Sequence, residues 1–164
     1  MKVFCVCGPS GSGKTTTIEK LIGELLGRGH RVASIKDIHS DKFDFDKPGT
    51  NTWRHMEAGS AMVVGRGMGK TAVMIPERLE IADLLRWFDH DYVVIEGGRE
   101  EPFPKILAAK TVEEIEERLD ESVFAVSGVI SEKGIEISGV PVVNGLGDIG
   151  KLADLVELNA EVTK

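Results

Sequence analysis

Residues 3–26 read VFCVCGPSGSGKTTTIEKLIGELL, and this stretch decides the fold. Val3–Cys7 is a short apolar run of strand formers that ends abruptly in glycines. Beyond them, Ile18, Leu21, Ile22, Leu25 and Leu26 recur at i, i+3, i+4, i+7 and i+8, the spacing of one helix face. Gly27 and Gly29 end that helix, and Arg28 sits at its negative end. Arg31–Lys36 then reads as a second strand. Strand, loop, helix and strand within about 35 residues make a βαβ unit, whose crossover requires a parallel sheet. The expected fold class is α/β, of P-loop NTPase-like form, with a mostly parallel central sheet flanked by helices on both faces.

The loop itself, Gly8-Pro9-Ser10-Gly11-Ser12-Gly13-Lys14-Thr15, matches G-x-x-x-x-G-K-[ST] in full. Its glycines let successive backbone N–H groups turn inward on a β-phosphate, and the positive end of the helix adds to the same site. Lys14 is expected to reach the β- and γ-phosphates. Thr15 is expected to place its hydroxyl on Mg²⁺, a hard cation that takes oxygen ligands. Ser10 stands where a variant class of such loops carries an additional lysine. The expected ligand is a nucleoside triphosphate with Mg²⁺.

A second acidic position is Glu96, at the tip of the apolar run Tyr92–Ile95. An acid at the C-terminal end of a central strand is placed to hold the Mg²⁺ shell or orient a water. Residues 37–51 form a polar loop of about 15 residues, a length that goes with function or disorder. Within it Asp44 and Asp46 could supply a metal ligand or position water, and His39 could contact a substrate. A solvated loop that includes Asp37 and Asp41 is an equal reading. His30, His55 and His90 read as surface residues. Arg66 and Arg99, beside glycine-rich turns, could sense phosphate.

Further along, a short helix is expected at Thr52–Ala58. Strands are expected at Ala61–Val64 and Thr71–Ile75, joined by a flexible turn. Leu79–Phe88 reads as a helix with Leu79, Ala82, Leu85 and Trp87 or Phe88 inward. Strands at Lys105–Ala108 and Val123–Ile130 flank a charged helix at Val112–Leu119. Gly134–Val143 reads as a hairpin-like edge piece and Ile149–Leu158 as a closing helix. Neither a repeat nor a linker interrupts the 164 residues, so a single nucleotide-binding domain spanning 1–164 is expected.

Composition sets outer bounds. Lys plus Arg number 20 against 27 Asp plus Glu, a formal charge of −7, which weighs against a phosphate backbone as partner. The N-terminal apolar run is too short for a signal peptide or a spanning helix. Cys5 and Cys7 lie two apart on one strand and face the same way, so they read as buried thiols rather than a disulfide. A cytoplasmic protein without a nucleic-acid or membrane partner is expected.

Several segments together, in order, resemble one family. They are GPSGSGKTTTIEKLI at 8–22, Ser34-Ile35-Lys36, Phe43-Asp44-Phe45-Asp46-Lys47-Pro48-Gly49, Arg54 with Ala58-Gly59, Val94-Ile95-Glu96-Gly97, and Pro104-Lys105-Ile106. Residues 1 to about 110 resemble the molybdopterin-guanine dinucleotide biosynthesis protein B (MobB) family. The resemblance implies a homodimeric GTP-binding accessory, at most a slow Mg²⁺-dependent GTPase, that assists a separate molybdopterin guanylyltransferase. It implies nucleotide contacts from Gly8 through Thr16, with Thr15 and Glu96 at the metal and Asp46 as a further metal residue. Two departures stand out. Asp37-Ile38-His39-Ser40 replaces a histidine-rich stretch, and Val126 is followed by Ser127-Gly128 where many members carry an Asp. The base-reading [NT]-K-x-D motif of common GTPases is missing, which disfavours a regulatory switch GTPase. The alternative from another class is a P-loop kinase acting on a small molecule, although no arginine-bearing lid is legible.

Overall fold

A computed structural model describes residues 1–40 and 43–163; Asp41 of the acidic loop lies outside the described residues. The chain divides into two compact units, one of residues 1–37 and 88–164, the other of residues 38–87.

The first unit is built on a sheet. Strands β1 (Lys2–Cys7), β2 (Val32–Lys36), β5 (Tyr92–Glu96), β6 (Lys105–Ala108) and β7 (Val123–Ser127) lie in the order β2-β5-β1-β6-β7. All four neighbouring pairs are parallel. β1 and β5 are continuous apolar runs because both faces of a central parallel strand are covered, and Val3 to Cys7 are all buried. Helices α1 (Lys14–Gly27) and α5 (Ile149–Asn159) cover one face, where Phe4, Val6, Leu21, Leu25, Leu152 and Val156 pack together. On the other face Cys7, Leu107 and Val126 meet Ile115 of α4 (Val112–Glu116) and Ile130 of a 3₁₀ turn at Val129–Lys133. The expected mostly parallel sheet with helices on both faces is what forms. Arg28, at the C-terminal cap of α1, ties the two long helices: it pairs with Glu24 at 2.9 Å, Asp154 at 2.7 Å and Glu157 at 3.1 Å.

The segment after β7 differs from expectation. Val123–Ile130 is a strand only to Ser127, since Gly128 at φ +84° turns the backbone out of register. The 134–143 piece is reduced to isolated bridges, Ile137 with Val140 and Val126 with Val142. A last short strand, β8 (Glu161–Val162), unforeseen in the sequence, runs antiparallel to β1. α4 is shorter than expected and stops at Glu116.

The second unit holds α2 (Asn51–Glu57), the antiparallel hairpin β3 (Val63–Arg66) and β4 (Thr71–Met74), and α3 (Ile81–Leu85). Thr50 caps α2, its hydroxyl accepting from the Trp53 N–H at 3.2 Å. In α3 the buried positions are Ile81 and Leu85, whereas Ala82 and, past the helix, Trp87 are exposed. A helix this short leaves its inward stripe undetermined by periodicity alone.

Cys5 and Cys7 are free and buried. Burial pushes the Cys5 thiol up to about 12 and raises that of Cys7 as well. A thiol so raised stays neutral and unreactive at pH 8. Ellman's reagent at that pH should therefore label neither cysteine until denaturant is added; rapid labelling of the native protein would contradict this packing. Among the described residues, no helix is long and apolar enough to cross a membrane.

Candidate functional site

The site lies at the carboxyl ends of the parallel strands, where open α/β sheets bind ligands at the point at which strand order reverses. Here β1 is that point, with β5 on one side and β6 on the other. The loop leaving β1 needs its first glycine. Gly8 has φ +140°, and a Cβ there would lie 2.0 Å from the Ala108 carbonyl oxygen at the end of β6. Ser12 is fully buried, and its hydroxyl has no hydrogen-bond partner among the described residues.

α1 begins without a side-chain cap and with no acid in its first turn. The first intrahelical bond is Thr17 N–H to Gly13 O, at 2.9 Å. The amides of Lys14, Thr15 and Thr16 therefore have no acceptor within the helix. An uncapped helix end of this kind, free of negative side chains, suits an anion. The Lys14 ammonium folds back over the loop and donates to the carbonyls of Gly8 at 2.9 Å and Pro9 at 2.7 Å. Ser10 and Gly11 lie at the exposed crest, and Thr15 and Thr16 are exposed beside it.

Across the strand ends, Thr15 and Glu96 meet: the Thr15 hydroxyl donates to Glu96 Oε1 at 3.1 Å. These are two hard oxygen groups facing one another, a donor pair that fits Mg²⁺ with waters and phosphate oxygens completing its shell. Two cations that no sequence motif marks also lie here. Lys36, the last residue of β2, places its ammonium 3.0 Å from the same Glu96 oxygen. Lys110, just past β6, donates to the Ser10 carbonyl at 3.1 Å. Lys110 is steadied by Glu114, which accepts its backbone N–H at 2.7 Å and its ammonium at 3.5 Å. That backbone bond first, and then the ammonium, hold the Glu114 carboxyl below its usual range. The available signal was position: both lysines follow apolar strand runs at the ligand-binding edge.

Asp46 belongs to the other unit. It accepts from the Lys47 N–H and the Thr50 hydroxyl, each at 2.8 Å, and so organises the turn that leads into α2. The Thr52 and Thr50 hydroxyls hold its carboxyl below the usual range. Asp44 accepts the Asp46 N–H at 2.9 Å in the same turn, and His39 is exposed. No group of three or more His, Cys, Asp or Glu that could hold a metal occurs among the described residues. Arg66 is exposed at the end of β3, and Arg99 lies 3.9 Å from Glu100. His30 and His90 are half-buried rather than superficial, His30 packing edge-on against Tyr92 and His90 against Phe88.

A further feature of this edge is a cavity beside the loop. Gly13, Thr16 and Thr17 form one wall, the turn after β7 a second, and the loop before α5 a third.

A glycine-rich loop between a central parallel strand and a helix, with an acid at the tip of the adjoining strand, defines the P-loop class of α/β proteins. Solved structures share the whole fold. A Bacillus subtilis MobB crystal structure superposes with a TM-score of 0.80 at 22% identity, covering 99% of this chain and 100% of that one. A MobB homologue from Bacillus stearothermophilus gives 0.72 at 22% identity, covering 96% and 99%. In sequence, the family model for molybdopterin guanine dinucleotide synthesis protein B matches residues 3–131. The molybdopterin-guanine dinucleotide biosynthesis adapter protein of Haemophilus influenzae is 36% identical over 157 residues, covering 93% of this chain and 85% of that protein. A probable adapter protein of the same description from Bacillus subtilis is 26% identical over 141 residues, covering 84% and 82%. The chain belongs to the MobB family.

Proposed function

We propose that this chain is a GTP-binding adapter of molybdopterin-guanine dinucleotide biosynthesis, with slow or partner-dependent hydrolysis of the nucleotide. The observation that carries the reading is the contact between Thr15 and Glu96 beside the uncapped start of α1. Two hard oxygen groups beside an uncapped helix start would suit a Mg²⁺-triphosphate, which supports the reading. Gly8 to Thr16 would hold the phosphates, with Lys14 as their principal cation. Thr15 and Glu96 would hold the metal, which when bound neutralises charge on the phosphate oxygens. Asp46 is a further candidate for the metal, in a separate unit.

The placement of the arginines supports slow turnover. Fast phosphoryl transfer draws on an arginine at the transition state, worth roughly 10³–10⁵ in rate. In the unit that carries the loop, Arg28, Arg31, Arg99 and Arg118 all lie beside carboxylates. Retention of the nucleotide suits a protein that presents it, or a shape that depends on it, to a partner. The adapter designation of its relatives supports that role. The partner would be the molybdopterin guanylyltransferase, met in the cytoplasm by a homodimer of this chain.

The test combines binding with function. GTP and ATP are titrated with and without Mg²⁺ against the native protein and the Thr15→Ala and Glu96→Gln variants. Mg²⁺ should tighten binding to the native protein several-fold more than to either variant. Adding the native protein to guanylyltransferase, molybdopterin and Mg²⁺-GTP should raise the yield of dinucleotide cofactor. Equal Mg²⁺ dependence in all three proteins would remove Thr15 and Glu96 from the metal site, and a yield indifferent to the protein would end the adapter reading.

A further inference from the structure

The cavity beside the phosphate loop has walls of distinct chemistry. It has a volume of about 140 Å³ and is lined by Gly13 of the loop and by Thr16 and Thr17 of α1, so it adjoins a ligand whose phosphates would occupy that loop. Its far walls carry Val129 and Leu146, two aliphatic side chains that are 40% and 54% exposed. Exposed aliphatic groups lining a slot favour a flat, apolar-faced ligand. Glu132 and Asn144 are among its polar lining residues.

These walls are fixed to the phosphate loop by the backbone. The Val129 N–H donates to the Ser12 carbonyl at 3.1 Å, and the Val143 N–H donates to Val126 O at 2.9 Å. The buried Ser127 hydroxyl donates to Val143 O at 2.8 Å, which joins the second and third walls. Gly128 allows the close approach: a Cβ there would stand 2.2 Å from Ser12 O. The cavity walls are therefore tied to the phosphate loop and to each other.

These two residues differ in what they can offer. Asn144 Oδ1 is engaged, accepting the N–H groups of Leu146 at 2.8 Å and Gly147 at 3.1 Å. Its amide nitrogen is left as a donor. Glu132 makes no hydrogen bond or ion pair with another described residue, and it is exposed beside the cavity, where its carboxylate is an acceptor only. One planar ligand edge complements that pair: adjacent ring N–H and exocyclic NH₂ donors for the carboxylate, and a carbonyl acceptor for the amide. Guanine has that edge. Adenine presents a ring nitrogen lone pair where a carboxylate requires a donor.

We infer that this cavity is the nucleobase site and that Glu132 selects guanine there, with Asn144 supporting the carbonyl. The inference rests on the triphosphate reading of the phosphate loop.

The test uses GTP and xanthosine triphosphate, whose 2-position carries a carbonyl acceptor instead of the amine. The native protein should prefer GTP. Glu132→Gln presents an amide that can donate to that carbonyl, so it should lower GTP affinity at least about tenfold and raise xanthosine triphosphate affinity by a similar factor, the size expected for one charge-assisted contact. A gain of binding cannot come from misfolding. Glu136→Gln, an equal change of charge at an exposed position outside the cavity, should alter neither affinity. If Glu132→Gln leaves both affinities of a GTP-binding protein unchanged, or if Glu136→Gln reproduces its effect, the base assignment is overturned while the phosphate reading stands. Failure of the native protein to bind either triphosphate overturns both.

Discussion

Replacing Lys14 with alanine should weaken GTP binding by roughly 30-fold to several thousand-fold, because truncating one member of a desolvated, hydrogen-bonded charge pair costs about 2–5 kcal/mol. In the present structure its ammonium is held by two loop carbonyls, Gly8 O and Pro9 O. Those oxygens hold the ammonium against the loop, where it would meet an arriving phosphate as a charge already in position. The side chain is only partly buried and lies apart from the apolar core, so the folded state should survive. Calorimetric titration gives the affinity, and a thermal melt within a few degrees of the native protein certifies the fold. An unchanged dissociation constant in a folded variant would take Lys14 out of the phosphate site.

The largest stability effect is expected at Gly8. Its φ of +140° is strained for any other residue, and a Cβ would overlap the Ala108 carbonyl oxygen at 2.0 Å and press on the Ser12 hydroxyl at 3.0 Å. β1 and β6 are both central strands and cannot move apart cheaply. Gly8→Ala should therefore cost about 3 kcal/mol or more, adding steric displacement to backbone strain. Gly11 provides the contrast: at φ +71° nothing lies within 4 Å of its Cβ position. Gly11→Ala should cost only the conformational strain of about 1–2 kcal/mol. Urea unfolding midpoints of the two variants compare them directly, and equal midpoints would refute the packing argument.

Much of the sheet could be read from the sequence because central parallel strands advertise themselves. Val3–Cys7 and Tyr92–Ile95 are unbroken apolar runs, and the glycine loop dates the start of α1 to the residue. Signals of this kind fade toward the margins. Glu161–Val162 is too short and too polar to read as a strand, and only its pairing with β1 makes it one. Ile81–Leu85 is barely more than one helical turn, so Ala82 and Ile81 were indistinguishable as inward positions. The site divides along the same line. Thr15 and Glu96 were legible because each ends a feature with a fixed geometry, a motif for one and a strand for the other. Lys36 and Lys110 were not, since their meaning comes from which strands lie side by side, and the order β2-β5-β1-β6 is a property of the assembled sheet. Glu132 was hidden for a similar reason: a single carboxylate on a charged 3₁₀ turn has no pattern until the cavity beside it exists.

One carbonyl has a wider consequence. The Ser12 oxygen accepts from Val129, and the Ser12 side chain stands under the phosphate loop. A rearrangement of that peptide would strain or break the 3.1 Å bond that joins it to the turn after β7. The two halves of a ligand lying along this edge therefore share a mechanical part. Their contributions to binding should not add: whichever half arrives first settles a peptide that the second would otherwise have to settle, and thermodynamic reciprocity makes the benefit equal in both directions.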